Sequence, residues 1–316
     1  METAEKLENN ETLPEEFKGP KVGIFSDVPN NEYHGGIGIS KSGLDLIHQS
    51  PAHFITNKKH PKPSTPAMVI GSAFHALVLE PDVFEQEYVK QPVNAPKRPT
   101  AAQLNSKNPT KLAQQSIGYW EQFDKENAGK IILTNTPGDD PFWKPGDWDR
   151  IHRMRDAILE HPIASVLLDL DQGKAEQSVY WVDSQTHKLC KCRPDFINDA
   201  HNVAVDLKST ENASYTEFAK SCAKFRYHVQ DPFYRDGLQA VGRPVDAFVF
   251  VAVEKTPPWG IGIYIIEPEA RRIGRIEYQR DLEIYAQCHS QDEWPCYPNE
   301  VRDIELPVWG LKGKVI

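Results

Sequence analysis

The sequence predicts a mixed α/β domain of the α+β kind, with a central mixed sheet flanked by helices. Helical periodicity dominates up to about residue 168. The period then becomes that of strands in SVYWVD, KLCKCRPDFI and NVAVDLK. After a further helical stretch come two apolar runs, DAFVFVAVEK and GIGIYIIE, and a last amphipathic helix. The 316 residues carry no visible internal repeat, and one domain with a tail is the expected organisation.

Each element follows from its own residues. Residues 1–22 are expected to be a disordered acidic tail, because METAEKLENNETLPEEFKGP offers too little apolar surface to offset the entropy of ordering. The folded domain is expected over 23–316, beginning with the turn-rich VGIFSDVPNNEYHGG. In GISKSGLDLIHQSPAHFI, Leu44, Ile47 and Phe54 recur at helical spacing, with Ser40 or Ser42 as N-cap. AMVIGSAFHALVLEP reads as a buried helix ending before Pro81, with His75 in its middle. From Lys90 to Lys111 the chain is polar and proline-bearing, with Lys90, Lys97, Arg98, Lys107 and Lys111 and no acid, which reads as a basic loop or mobile arm. Helices are expected at Leu112 to Asn127 and Trp148 to Leu168. The three strand-like runs then form an antiparallel meander. Tyr215 to Val241 reads as helix interrupted near Pro232, and Pro268 to Ser290 as the last helix.

Composition narrows the function classes. The chain begins without a basic start and apolar run, and has no stretch of about 18 apolar residues, so no membrane association is expected and a cytoplasmic location is. Five cysteines, an odd number, fit reduced thiols better than a disulfide framework. A net charge of -9 excludes a protein coated in positive charge. It leaves open a local basic groove.

The chemistry lies in RPDFINDAHNVAVDLKST, residues 193–210. Strand alternation points Val203, Val205 and Leu207 to one face, and Ala204, Asp206 and Lys208 to the other. NDAHN has the composition of a turn, and a hairpin through it brings Asp195 close to Asp206. Two such carboxylates repel unless a cation lies between them or one is protonated. Mg²⁺ takes one or two carboxylates and completes its shell with water and phosphate oxygens. Lys208, on the same face, is placed to act on a water or to neutralise charge developing on a phosphate.

Asp195 after a proline, ten intervening residues, then Asp206-Leu207-Lys208 resembles the PD-(D/E)xK nuclease superfamily, with Asp206 at the D/E position. His75 in GSAFHALVLEP resembles the helix-borne metal histidine of the RecB-like branch, and Gln230 and Tyr234 in QDPFY match its Q-x-x-x-Y element. YHGGIGISKSGLDLIHQSPAHF, GSAFHALVLEP and CKCRPDFI together are similar to the exonuclease VIII (RecE) nuclease domain of prophage recombination systems, over roughly residues 33 to 290.

The resemblance implies a restriction-endonuclease-like core. It makes His75, Asp195, Asp206 and the Leu207 carbonyl metal ligands, Lys208 the catalytic lysine, and Glu176 an auxiliary acid. Gln230 and Tyr234 would contact DNA or brace the site, with Pro232 near the first turn of their helix. A lone histidine on an apolar helix is otherwise a core residue, and only the surrounding motif favours the ligand reading for His75. Ser40, Lys41 and Ser42 at a helix start read equally as a phosphate cradle, as this region serves in related processive exonucleases, or as a simple cap. The stretch from Lys90 to Lys111 and the trio Arg271, Arg272 and Arg275 read as tracking the DNA backbone or as solvated charge.

By the same resemblance the activity is a Mg²⁺-dependent 5′-to-3′ exodeoxyribonuclease, with Mn²⁺ expected to substitute. It would act processively on linear double-stranded DNA ends and leave 3′ single-stranded overhangs. The partners implied are a RecT-type single-strand annealing protein and further copies of the chain in a ring, a tetramer being favoured. Two alternatives stand beside it. One is an iron–sulfur nuclease of the Cas4 or AddB kind, which needs four thiolates and finds here only C-x-C at Cys190 and Cys192 and a wide gap from Cys288 to Cys296. The other is a DNA-binding or assembly module without catalysis.

Overall fold

The structure, a computed structural model, describes residues 22–305. The acidic tail expected at 1–22 lies outside the described residues except for Val22, as do residues 306–316 of the expected domain. The chain runs through β1 (Gly23–Phe25), α1 (Asn30–Gly35), α2 (Lys41–Gln49), α3 (Pro51–Lys59), α4 (Pro66–Leu79), α5 (Pro81–Glu87) and β2 (Tyr88–Lys90). Next are α6 (Ala101–Leu104), α7 (Lys111–Glu126), β3 (Ile131–Leu133), α8 (Asp147–Glu160) and α9 (Ala164–Leu167). The strand-rich part holds β4 (Gly173–Ala175), β5 (Ser178–Val182), β6 (Leu189–Cys192), β7 (Phe196–Asn198) and β8 (Val203–Thr210). It is followed by α10 (Tyr215–Lys224), α11 (Tyr227–Ala240), β9 (Ala247–Glu254), β10 (Ile261–Tyr264) and α12 (Pro268–Gln291).

The main sheet has the order β10-β9-β8-β7-β4, with β8 and β9 parallel and the other pairs antiparallel. This is the mixed sheet the sequence predicts. Its central strands are apolar on both faces, as strands covered from both sides must be. Ala204, Phe248 and Phe250 pack with Phe218, Val229 and Phe233 of α10 and α11. Val205, Leu207, Val249 and Val251 face Phe74 and Leu77 of α4 and Ile151 and Met154 of α8.

The strand region corrects the simple meander. β5 and β6 pair with β1 in a separate antiparallel sheet, β1-β5-β6, while β7 and β8 belong to the main sheet. KLCKCRPDFI is therefore not one strand. Pro194 has no N–H to continue a ladder, and the chain turns there from one sheet to the other.

Three expected helices are divided. Pro51 starts α3 behind Ser50, which ends α2 and whose hydroxyl accepts the His53 N–H. Helix 148–168 breaks around His161 and Pro162 into α8 and α9. The stretch from Tyr215 to Val241 breaks at Phe225 and Arg226 rather than at Pro232, which lies inside α11. Without an N–H, Pro232 frees the His228 carbonyl four residues earlier. That carbonyl leans against Gly274 of α12, where an added Cβ would sit 1.8 Å from it.

The basic segment 90–111 lies along α7. The Trp120 indole donates to the Pro96 carbonyl at 2.9 Å, the Ser116 hydroxyl to the Lys97 carbonyl at 2.6 Å, and Arg98 forms a two-bond pair with Asp124 while stacking over Trp120.

Candidate active site

Two strand pairs change sheets at the same level. β4 continues into β5 through Glu176 and Gln177, and β6 continues into β7 through Arg193, Pro194 and Asp195. The ladder pairs Ala175 with Phe196, so Glu176 and Asp195 stand opposite one another at the corner. The Glu176 N–H donates to the Asp195 carbonyl at 3.0 Å, and Glu176 adopts φ of +49°, a left-handed conformation that a glutamate holds only under constraint. On the other side β7 pairs Phe196 with Val205, which sets Asp195 beside Asp206 as the hairpin reading requires. The Leu207 N–H donates to Asp195 Oδ2 at 2.6 Å.

Arg193 locks the corner. It is 8 % exposed, donates to the Ser178 hydroxyl, Asn30 Oδ1 and the Val28 carbonyl, and lies 4.0 Å over the Tyr33 ring. Sequence reasoning passed over this residue. Its signal was a cation directly before the proline of the motif.

α4 brings His75 to the same corner, with Nδ1 3.5 Å from Asp195 Oδ2. Ligand atoms of His75, Glu176 and Asp195 all lie within 4.8 Å of one another. This trio differs from the expected ligand set, in which Asp206 stood where Glu176 does. The reason is that Asp206, 1 % exposed, turns its carboxylate to the Gln230 amide and the Lys208 ammonium. Its Oδ2 is taken up by the Lys208 ammonium in a buried ion pair. A histidine nitrogen and the carboxylate oxygens of Glu176 and Asp195, all within 4.8 Å of one another, are a donor set that fits a hard divalent cation.

The electrostatics agree with that fit. Burial, and then the Asp195 and Glu80 carboxylates, push Glu176 up to about 9. Burial, followed by the charge of Asp206, raises Asp195 to about 6. Burial disfavours the Lys208 ammonium, yet Asp206 and Asp195 outweigh it and hold the group above its ordinary value. Lys208 also lies 5.0 Å over the Tyr227 ring.

The remaining expected residues divide in two. Gln230 braces Asp206 directly, while Tyr234 packs edge-on against Phe248 and is held well above its usual value by burial. Ser40 caps α2, accepting the Gly43 N–H at 3.3 Å and meeting the Ser42 hydroxyl at 3.0 Å. Lys41 is engaged with the Phe225 carbonyl at 2.6 Å and Asp45 at 2.7 Å. Arg226, another residue the sequence did not disclose, adopts φ of +54° and binds Asp45, Glu277 and Asp281, tying α2, α11 and α12 together. Arg271, Arg272 and Arg275 do not act as one trio, because Arg272 turns to an exposed pair with Glu269.

A cleft of about 530 Å³ runs along α4, α8 and the end of β8, and none of His75, Glu176, Asp195, Asp206 and Lys208 lines it. Gly71 and Phe74 of its wall stand within a turn of His75, and Ser209 follows Lys208.

Among solved structures, that of a candidate exonuclease from Eubacterium rectale superposes with a TM-score of 0.54 at 12 % identity, covering 92 % of this chain and 100 % of its own. At that identity it speaks for the fold. A second, that of SSO0001, reaches a TM-score of only 0.27 at 14 % identity over 43 % of this chain and 67 % of its own, and carries no argument. No curated protein matches the chain. The model of a PDDEXK-like domain of unknown function matches residues 40–305. With the Pro-Asp corner, the Asp-Leu-Lys strand and a matching mixed-sheet core, the chain belongs to this PDDEXK-like family, within the PD-(D/E)xK nuclease superfamily.

Proposed function

We propose that the protein is a metal-dependent exodeoxyribonuclease acting on linear double-stranded DNA. The observation that carries the reading is the gathering of His75, Glu176 and Asp195 at one corner, with Asp206 and Lys208 on the adjoining strand. His75, Asp195 and Glu176 would hold a divalent cation, Mg²⁺ or Mn²⁺, with Asp206 and the Leu207 carbonyl adjoining it. When bound, the cation supplies Lewis-acid stabilisation of charge on phosphoryl oxygens.

The chain's own groups do the positioning. The Leu207 N–H fixes one Asp195 oxygen, and Gln230 fixes one oxygen of Asp206. Lys208, held as an ammonium by Asp206, offers a positive charge to the phosphate oxygen that becomes more anionic in the transition state. A terminal-phosphate role for Ser40, Lys41 and Ser42 follows from the resemblance alone, since Lys41 is already bonded to the Phe225 carbonyl and Asp45. Polarity from 5′ to 3′, processivity through a ring of subunits, a RecT-type annealing partner and a cytoplasmic setting follow from the resemblance to exonuclease VIII. The iron–sulfur alternative finds no support, since no group of cysteines gathers among the described residues.

The test uses duplexes labelled at either end, linear and closed-circular, with Mg²⁺, Mn²⁺ or chelator. Lys208→Gln serves as the control. The 5′ label should leave first, the circle should survive, and the variant should lose about a thousandfold in rate while binding DNA. Cutting of the circle would make the protein an endonuclease. Binding without cleavage by both proteins would leave a DNA-binding module.

A further inference from the structure

A second polar pocket lies on the far side of α11 from the carboxylate corner. It measures about 250 Å³ and is lined by Arg235, Asp236, Gln239 and Val245 together with Arg271 and Arg275 of α12. Three guanidinium groups thus meet in a chain whose net charge is -9. Gln230 and Arg235 are five residues apart on α11, about 7.5 Å along its axis. Gln230 points to Asp206 in the sheet, whereas Arg235 points to the loop before β9, so the two sites can be filled independently.

The arginines are not equally committed. Arg275 makes a two-bond pair with Asp236 at 2.7 Å, and the Tyr278 hydroxyl donates to the same carboxylate. Arg235 makes only two long bonds, both 3.3 Å, to the Val245 and Asp246 carbonyls. The Arg271 N–H donates to the Glu267 carbonyl, while its guanidinium makes no hydrogen bond or ion pair among the described residues. Asp231, 0 % exposed, accepts no hydrogen bond at either carboxylate oxygen, so none of the three cations is held by it directly. Its acid is raised to about 6 by burial against the pull of Arg235, Arg271 and Arg275.

We propose that this pocket binds a phosphoryl group, with the Arg271 guanidinium as its principal donor and Arg235 and Arg275 completing the positive wall. Guanidinium forks match phosphate oxygens in pairs, and lysine does not provide that geometry. The volume is below the ~300–1,000 Å³ of pockets that enclose drug-sized ligands, which suits a phosphate with part of its sugar. The group comes either from the backbone of DNA engaged at the corner or from a free mononucleotide. Only the choice of these sources rests on the nuclease reading.

Two arms test it on the full chain in chelator. In the first, inorganic phosphate and dTMP are titrated by calorimetry against the wild type, Arg271→Ala and Arg271→Glu. Arg271 lies on the surface of a helix, so the variants should melt as the wild type does. Their affinity should fall at least tenfold. In the second, a 20-base-pair duplex is bound by Lys208→Gln with and without Arg271→Ala across a salt series. Loss of one phosphate contact lowers the salt slope by about one, or about three- to fourfold in affinity between 50 and 200 mM salt. A change in the duplex arm identifies the backbone as the source. A change in the phosphate arm alone identifies a free nucleotide. If neither arm moves, the pocket is not a phosphoryl site. Failure of the nuclease reading would leave the phosphate arm standing, and so is separable.

Discussion

Replacing Glu176 by glutamine should stabilise the metal-free protein. In the fold, burial and then Asp195 raise this carboxyl from 4.5 to about 9. A raised acid binds its proton more tightly in the folded chain than in the unfolded one. Its contribution is therefore neutral below the unfolded value and grows increasingly unfavourable as pH climbs towards the folded value. At pH 7.5 the difference spans about three pH units at 1.36 kcal/mol each, or about 4 kcal/mol at most. The side chain is half-buried, so water screens part of this and about 2 kcal/mol is a fair expectation. For a chain of this size that corresponds to roughly 4 °C in melting temperature. The assay is calorimetric melting of wild type and Glu176→Gln in chelator at pH 5 and pH 8. The gain should be present at pH 8 and nearly absent at pH 5. Adding Mg²⁺ or Mn²⁺ should raise the wild-type melting point more than that of the variant, because a cation that binds only the folded chain stabilises it through its affinity. A variant no more stable than wild type at pH 8, or equally stabilised at both pH values, would refute this account of the corner.

Substitutions at two further positions test how the corner is supported. Gly274→Ala would drive a methyl to 1.8 Å from the His228 carbonyl, and the backbone cannot yield locally, so separation of α11 and α12 should cost about 3 kcal/mol in urea unfolding. Arg226→Ala leaves the 1 %-exposed Asp281 without its shortest partner, and about 3 kcal/mol should be lost. Arg226→Gly should lose about 1 kcal/mol less, since glycine holds φ of +54° without strain; equal losses would show that strain plays no part.

The hairpin from Asp195 to Lys208 was legible because every signal for it is local. Period-two alternation fixes the faces of β8, NDAHN makes the turn, and the register then follows by counting. The helix boundaries were less legible. Pro51 and Pro162 announce breaks that apolar periodicity runs across, whereas the break at Arg226 has no local cause. That residue is left-handed because carboxylates from α2 and α12 hold it there, and those contacts join residues far apart in sequence. Pro232 shows the converse. Alone it suggests an interruption, yet α11 continues because the carbonyl it frees is accommodated by a glycine on another helix. Glu176 was visible only through family resemblance, since its place depends on two strands leaving one sheet for another at the same level.

That shared level explains the charge at the corner. Counting along both ladders sets Glu176 opposite Asp195 and Asp195 opposite Asp206, three acids in a row across adjacent strands. Neighbouring strands lie roughly 4.8 Å apart, and like charges directly opposite one another destabilise a sheet. Apolar packing would tolerate neutral residues at all three positions, as it does one step away at Ala175, Phe196 and Val205. Asp206 is answered by Lys208, but Glu176 and Asp195 keep an electrostatic cost that the single bond from the Leu207 N–H does not remove. A cation between the acids offsets it, and the same charges that raise Glu176 and Asp195 in the metal-free protein would bind that cation. If so, Asp195→Asn should resemble Glu176→Gln, with a more stable metal-free protein that responds less to added metal. Should neutralising either acid destabilise the metal-free protein, the row would be structural, and the metal reading of the corner would lose its physical basis.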